Sequence, residues 1–331
     1  MKALIPVAGL GSRLRPHTHT QPKSLIPVAG KPILAHIIDN LIAADIHEFI
    51  FVIGYLGDKI EQYVTANYPN IKAYFVVQTD GKGTGHAVWL AKDLLNDKVP
   101  VFIVFGDTIV QADLKKIIAS DKSLLGVKRV NDPREFGVAE IDESGLITKL
   151  VEKPNIPKSN QALVGIYKIC ETRQLKLALN YIIDHELINR GEYQLTDALM
   201  MMIDNGVKLY AQPVDAWFDC GKKDILLETN ALLLKGDGYT KATAGDYQNT
   251  IIIDPVFIGK NSKISNSIVG PNVSIGDHVI MNYSIIKNSI IGPYSHLENA
   301  NLDNSIIGND ASLRGVSLSL NLGDSTEINF G

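Results

Sequence analysis

An α/β chain, with a doubly wound Rossmann-like domain followed by a parallel β-helix, is the fold that three observations in the sequence predict. Short Val, Ile and Phe runs alternate with helical spacing over the first 120 residues. The middle of the chain changes to strand-like pieces separated by turn residues. The last third repeats an aliphatic-Gly motif at short intervals.

The apolar runs are Lys2 to Val7, His47 to Ile53, Ala73 to Val77 and Val99 to Phe105. They have the length and β-branched content of buried strands. Between them, Pro32 to Ala44 carries Ile33, Leu34, Ile37, Ile38, Leu41 and Ile42, and Gly83 to Leu95 carries Ala87, Val88, Leu90, Ala91, Leu94 and Leu95. Those are the spacings of one helical face, and Pro32 suits a first helical turn. Such alternation predicts a mainly parallel sheet, whose ligands sit at the carboxyl ends of its strands. From Leu124 to Ile169 the pieces Gly137–Ile141 and Leu150–Pro154, with Ser144-Gly145 between, predict a mixed-sheet insertion. Helical spacing returns at Glu171 to Asn189, Leu195 to Asn205 and Lys222 to Leu234. The polar, Gly-containing stretch from Lys235 to Asn249 then reads as a linker. It divides a first domain, 1–240, from a second, 241–331.

The second domain is rich in Asn and Ser and carries six copies of aliphatic-Gly-x-x-small-x-aliphatic, beginning at Ile258, Val269, Ile275, Ile291, Ile307 and Leu322. A six-residue period suits a parallel β-helix in which each short strand points an aliphatic inward and Gly or Asn takes the left-handed corners. Coils of this kind bury their faces only by stacking. Flat aliphatic faces and open ends predict a homo-oligomer.

Composition narrows the function. At 45% hydrophobic and 21% charged, the 331 residues are those of a globular chain, and no apolar run approaches the roughly 20 residues of a membrane span. The N-terminus lacks the order of a secretory signal, so a cytoplasmic location and no membrane partner are expected. Two cysteines, Cys170 and Cys220, exclude a disulfide framework and a Cys-rich zinc site. The eight histidines show no metal-ligand spacing. All 36 acidic residues follow residue 38, whereas the first 38 residues hold Lys2, Arg13, Arg15, Lys23 and Lys31. That imbalance points to a small anionic ligand there; a nucleic-acid binder would show a broader basic face.

The turn after the first run reads Ala8-Gly9-Leu10-Gly11-Ser12-Arg13-Leu14-Arg15-Pro16. A dinucleotide fingerprint would need Gly at position 14, and a Walker loop would need Gly-Lys-Ser or Gly-Lys-Thr; neither is present. What remains is a backbone able to approach phosphates closely, two guanidiniums, and Lys23 soon after. Arg grips two phosphate oxygens and Lys supplies a point charge, which suits a triphosphate.

This turn, together with Pro22-Lys23-Ser-Leu-Ile-Pro27 and Gly30-Lys31-Pro32, resembles the signature of the sugar-phosphate nucleotidylyltransferases, or NDP-sugar pyrophosphorylases. The resemblance continues in order through Gln78 and Gly83-Thr84-Gly85-His86-Ala87, Phe105-Gly106-Asp107, Phe136-Gly137-Val138, Val151-Glu152-Lys153-Pro154, Glu192-Tyr193-Gln194-Leu195-Thr196-Asp197 and Trp217-Phe-Asp219-Cys-Gly221. It covers about residues 1 to 234, and the hexapeptide coils match the left-handed β-helix that many members carry. Pro6-Val7 and Ser12 depart from the usual pattern without touching a charged residue.

The reaction implied by the resemblance is attack of a sugar 1-phosphate on the α-phosphorus of an NTP, releasing pyrophosphate. By the same resemblance Arg13, Lys23, Asp107, Lys153 and Asp219 are the catalytic set, and Asp107 and Asp219 hold Mg²⁺. Ala8, Gly9, Gly11, Ser12, Gln78, Gly83 and Thr84 would bind the nucleotide, with Gly83 leaving room for base or ribose. Gly137, Glu152, Lys153 and Gln194 would bind the sugar phosphate. Gln78 offers donor and acceptor to a pyrimidine edge, so with the Gly83-Thr84-Gly85 run it fits dTTP or UTP, and the resemblance implies glucose 1-phosphate as the sugar. GTP with mannose 1-phosphate, a catalytically inactive NDP-sugar-binding scaffold, and an added acyltransferase using His278 or His296 are the alternatives the sequence leaves open.

Overall fold

The computed structural model describes residues 1–236 and 247–315. The expected boundary after residue 240 and the repeat copy at Leu322 lie outside them. The chain forms two compact units, one of Met1–Pro27 and Lys31–Leu226, the other of Val28–Gly30 and the chain from Leu227 onward.

The first unit is built on a nine-stranded sheet. Lys2–Pro6 lies at its centre, parallel to Glu48–Ile53 on one side and Val101–Val104 on the other, and Lys72–Val77 continues the parallel edge. The three inner strands are buried along nearly their whole length, as a sheet covered on both faces requires. Past Val101–Val104 the sheet turns mixed. Gln161–Ile169 runs antiparallel to it and pairs with both Ser123–Arg129 and Gly137–Ile141. The predicted insertion is therefore the antiparallel extension of the sheet, closed by the Gly137–Ile141 and Ile147–Glu152 hairpin.

The predicted helices are present with slightly shorter bounds. Ile33–Ala43 buries Ile33, Leu34, Ile37, Ile38 and Leu41, with Pro32 just outside as its cap rather than inside its first turn. Thr84–Leu90 ends earlier than the periodicity suggested, because the chain tightens into a 3-10 turn at Lys92–Leu94. Thr172–Asp184 and Leu195–Asp204 pack their apolar faces into one core with Leu4, Ile50, Ile103 and Leu125. Gly57–Asn67 is a helix that the sequence reading did not single out; only Gly57, Ile60 and Val64 of it are buried, a narrow stripe in a polar sequence.

In the second unit, the described residues form twelve short strands in three four-stranded parallel sheets. Strands pair with their counterparts in the neighbouring coil, as Val256↔Val273 and Ile251↔Ile268 do. Ile264, Val269, Val273, Ile275, Met281, Ile286, Ile291 and Leu297 form the apolar filling, and the arrangement is that of a left-handed parallel β-helix. The corners differ from expectation in one respect. Positive φ falls mainly on Asn266, Asn272, Asn288, Asn299 and Asn304 and on His278 and Tyr294. Gly270 takes φ +110°, but Gly259, Gly276 and Gly292 serve the stack instead. A Cβ on Gly276 would lie 2.5 Å from the backbone N of Pro293, so glycine is set there by the close approach of the next coil. Side-chain oxygens of Asn282, Asn288 and Ser284 accept hydrogen bonds across coils at the polar corners, while the buried Asn272 Oδ1 has no partner among the described residues.

Also in this unit, the buried Asn230 accepts from the Ala29 backbone N–H and the Ser274 hydroxyl and donates to the Asn272 carbonyl.

Candidate active site

The carboxyl ends of the three central strands open into a cleft of about 830 Å³. The turn Ala8–Ser12, Lys23, Gln78, Gly83, Thr84 and Asp107 line it, so the structure brings the expected nucleotide residues to one place. Local sequence explains how. Gly11 takes φ +63° immediately before the 3-10 turn Ser12–Leu14, and the Thr18 hydroxyl bonds its carbonyl. A Cβ there would come within 2.9 Å of Lys23 and of Thr18. Gly106 is held equally tightly, because a side chain would run into Val7. Gly83, at φ +97°, departs from expectation: the space a side chain would need is taken by the Tyr193 carbonyl 2.6 Å away and by Glu192. Its glycine is demanded by packing of the protein on itself rather than by room for a base.

Asp107 and Asp219 lie more than a hundred positions apart, and a small antiparallel ribbon brings them together. Ala216–Asp219 pairs with Thr108–Gln111 with Asp219 opposite Thr108, and the Cys220 N–H donates to the Asp107 carbonyl over 3.0 Å. The Lys23 ammonium sits between the two carboxylates, in direct hydrogen bond with Asp107 and 3.8 Å from Asp219. Arg13 lies 3.9 Å from Asp219. Gly221 keeps the quartet open, since a Cβ would fall 2.9 Å from Arg13 Nη2 and 3.0 Å from Lys23 Nζ.

The two carboxyl groups are driven apart electrostatically. Burial acts to raise the Asp107 carboxyl, but the Lys23 charge and hydrogen bond outweigh it and hold it below its ordinary value. Burial and the neighbouring Asp107 charge push Asp219 up, against the pull of Lys23 and Arg13. Two hard oxygen donors that repel each other, with one cation already between them, fit a divalent metal completed by phosphate oxygens. Among the described residues, no group of three or more His, Cys, Asp or Glu could hold a metal by protein ligands alone.

A second cluster collects the expected sugar-phosphate residues. Glu152 Oε2 accepts from the Thr196 hydroxyl over 2.7 Å, and Gly137 lies so close that a Cβ would come 3.1 Å from the same oxygen. Lys153 takes φ +43° and places its ammonium 3.6 Å from Glu152, while Arg190 donates to the Lys153 carbonyl. Gln194 is buried and donates to the Asn189 carbonyl and Glu192.

Sequence reasoning missed three contributors. Glu135 lies 4.0 Å from Arg13 and 2.7 Å from Lys222, tying the anion-binding turn to the segment after Asp219. Its place among the mixed charges Asp132-Pro-Arg-Glu carries no spacing signal. Thr196 belongs to the Glu192–Asp197 motif but stands in a helical apolar stripe, where only its bond to Glu152 gives it a role. His86 lay inside a quoted motif, yet only its contact with Gln78 gives it a role.

A parallel sheet whose crevice combines a Gly-rich turn, Arg, Lys and paired carboxylates defines an α/β enzyme that handles nucleoside phosphates. The chain belongs to the nucleotidyl transferase family, whose sequence profile matches residues 2–236. It is 32% identical over 249 residues to the low-salt glycan biosynthesis nucleotidyltransferase Agl11 of Haloferax volcanii, covering 73% of this chain and 68% of that one. It is 31% identical over 321 residues to a glucose-1-phosphate thymidylyltransferase of Streptomyces griseus, covering 88% and 87%. A crystal structure of a UDP-glucose pyrophosphorylase complexed with UDP-glucose shares the fold with a TM-score of 0.63 at 24% identity, over 71% of this chain and 98% of that one. The protein is a sugar-1-phosphate nucleotidyltransferase. Enzymes of this family generally use a divalent metal. No helix among the described residues is long and apolar enough to cross a membrane.

Proposed function

We propose that the enzyme transfers a nucleoside monophosphate from dTTP or UTP to glucose 1-phosphate, with Mg²⁺ as the metal. The observation that carries the pyrimidine assignment is the position of Gln78, which lines the cleft together with the exposed apolar side chains of Leu10 and Val77 and the Gly9–Ser12 turn. Apolar lips grip the faces of a base, and the amide reads its edge. The likeness to thymidylyltransferases over most of the chain supports the same pair.

In this reading the chain's own groups act by position and charge. The Gly9–Ser12 backbone and Arg13 hold the β- and γ-phosphates that leave as pyrophosphate. Lys23 neutralises the α-phosphate. Lys153 holds the sugar 1-phosphate, and Glu152, fixed by Thr196, accepts from sugar hydroxyls with Gly137 and Gln194 beside it. Asp107 and Asp219 hold Mg²⁺, which when bound supplies positive charge against the phosphates. With the nucleophile already an anion, no general base is required.

The protein is proposed to act in the cytoplasm, with a nucleotide-transfer domain over residues 1–240 and a β-helix domain over 241–331. The exposed Ile251, Ile280 and Ile285 on the coils support homo-oligomerisation. A competition among dTTP, UTP and GTP, with glucose and mannose 1-phosphates, tests the substrate assignment. Preference for GTP with mannose 1-phosphate would refute it.

A further inference from the structure

Gln78 reaches the cleft with one end of its amide already committed. Nε2 donates to the Gly83 carbonyl over 3.2 Å and lies 2.9 Å from His86 Nδ1. A carbonyl oxygen only accepts, so the atom facing Gly83 must be the NH₂ group, and the reversed amide would set two oxygens against each other. The second N–H of that group meets His86, whose Nδ1 must therefore accept, leaving the ring proton on Nε2. Gln78 is only 7% exposed, and among the described residues no protein donor takes its Oε1.

His86 does not line the cleft. It stands behind Gln78 on the helix Thr84–Leu90, stacked on Trp89 with centroids 5.7 Å apart and tilted against Tyr193 at 6.3 Å. The shelf is fixed in turn by backbone bonds from Tyr193 N to Lys82 O and from Gly85 N to Tyr193 O, each 2.8 Å.

We propose that His86 is a positioning residue for nucleotide choice: its Nδ1 holds the Gln78 amide so that Oε1 faces the base, and the cleft accepts bases with an N–H donor on their pairing edge. Uracil and thymine present that donor at N3. Cytosine presents an acceptor there and would set lone pair against lone pair. The inference rests on the assignment of Gln78 to the base. Protonation of His86 would turn Nδ1 into a donor facing the Gln78 donor and release the amide. The groups facing the ring are Trp89 and Tyr193, with Lys82 and Asp80 nearby. Burial and the Lys82 charge lower the His86 pKa from its ordinary value of 6.5, against a smaller upward pull from Asp80. The accepting imidazole is thus the form present at neutral pH.

Calorimetric binding of UTP and CTP with Mg²⁺ to the full chain tests this. The wild type should bind UTP at least about ten-fold more tightly than CTP, the scale of one mismatched hydrogen bond in a dry site. His86→Phe keeps a ring against Trp89 but has no acceptor, and the UTP-to-CTP ratio should fall to within about three-fold of unity. His86→Gln, with an amide oxygen to accept, should recover much of it. Lowering the pH from about 7.5 to the point below 6.5 at which NMR shows His86 protonated should shrink the ratio in the wild type and leave it unchanged in His86→Gln, a comparison that stands even if His86→Phe fails to fold. A wild-type ratio near unity, a His86→Phe ratio equal to the wild type, or identical pH profiles in wild type and His86→Gln would overturn the inference. Because the readout is binding, failure of sugar nucleotidyl transfer would refute the proposed function and leave this ratio standing.

Discussion

Replacing Lys23 by Met removes the cation between Asp107 and Asp219 and leaves a chain of similar shape. At 3.8 Å the Lys23 and Asp219 charges attract by about 4 kcal/mol at an effective dielectric of about 20, and the contact with Asp107 is closer still. That gross attraction is offset by desolvation. Breaking a fully buried pair costs about 3–5 kcal/mol, but the Asp107 and Asp219 side chains keep 34% and 27% of their exposure, so water screens part of the loss. A net cost of about 1–2 kcal/mol follows, or roughly 2–8 °C in Tm for a domain of this size. The same change exposes two carboxylates to a metal. Mg²⁺ at a hundred times its Kd stabilises a fold by about 2.7 kcal/mol, so Mg²⁺ should close most of the variant's deficit while raising the wild type less. Turnover should fall by at least about a hundred-fold, because the cation at the reacting phosphate is gone. Thermal unfolding with and without Mg²⁺, alongside pyrophosphate release, measures all three. A variant as stable as the wild type in metal-free buffer, or one indifferent to Mg²⁺, would refute the reasoning.

The two carboxylates should respond to amidation with opposite signs. Asp219 has its pKa raised in the fold, so the stability it contributes is present below the ordinary carboxylate value of 3.8 and lost as pH rises through the folded value. Asp107 is lowered, so its contribution is present above 3.8 and lost as pH falls through its folded value. In metal-free buffer at pH 7.5, Asp219→Asn should raise the urea midpoint and Asp107→Asn should lower it, although both abolish turnover; shifts of the same sign would contradict the electrostatic picture. In the second unit, Asn230→Ala strips partners from the Ala29 N–H, the Ser274 hydroxyl and the Asn272 carbonyl in a fully buried setting, and should cost about 2–4 kcal/mol. Denaturant unfolding checks it, and a loss below about 0.5 kcal/mol would show that those groups find other partners.

Much of this architecture was legible because local pattern and global fold agree. The runs at Lys2, His47, Ala73 and Val99 are strands, and the aliphatic-Gly repeats are stacked coils, because each pattern can bury its apolar side in only one way. The reading faltered where one residue answers to several demands. Glycine at 276 suggests a left-handed corner, yet it is set by the backbone of the next coil. Glycine at 83 suggests room for a ligand, yet Tyr193 fills that room. The helix Gly57–Asn67 escaped because three buried residues make too narrow a stripe to read. At the site, charged residues in quoted motifs were visible, whereas Glu135, Thr196 and His86 act through partners distant in sequence or hidden in a turn. Distances such as the 2.7 Å from Thr196 to Glu152 exist only once the sheet has assembled.

Sugar nucleotidyl transfer is tested most directly by incubating the purified chain with dTTP or UTP, glucose 1-phosphate and Mg²⁺. Pyrophosphate and the NDP-sugar should then appear in equal amounts, with neither formed when the sugar phosphate or the metal is omitted. Pyrophosphate without sugar nucleotide, or no product from any of these pairs at saturating Mg²⁺, would contradict it.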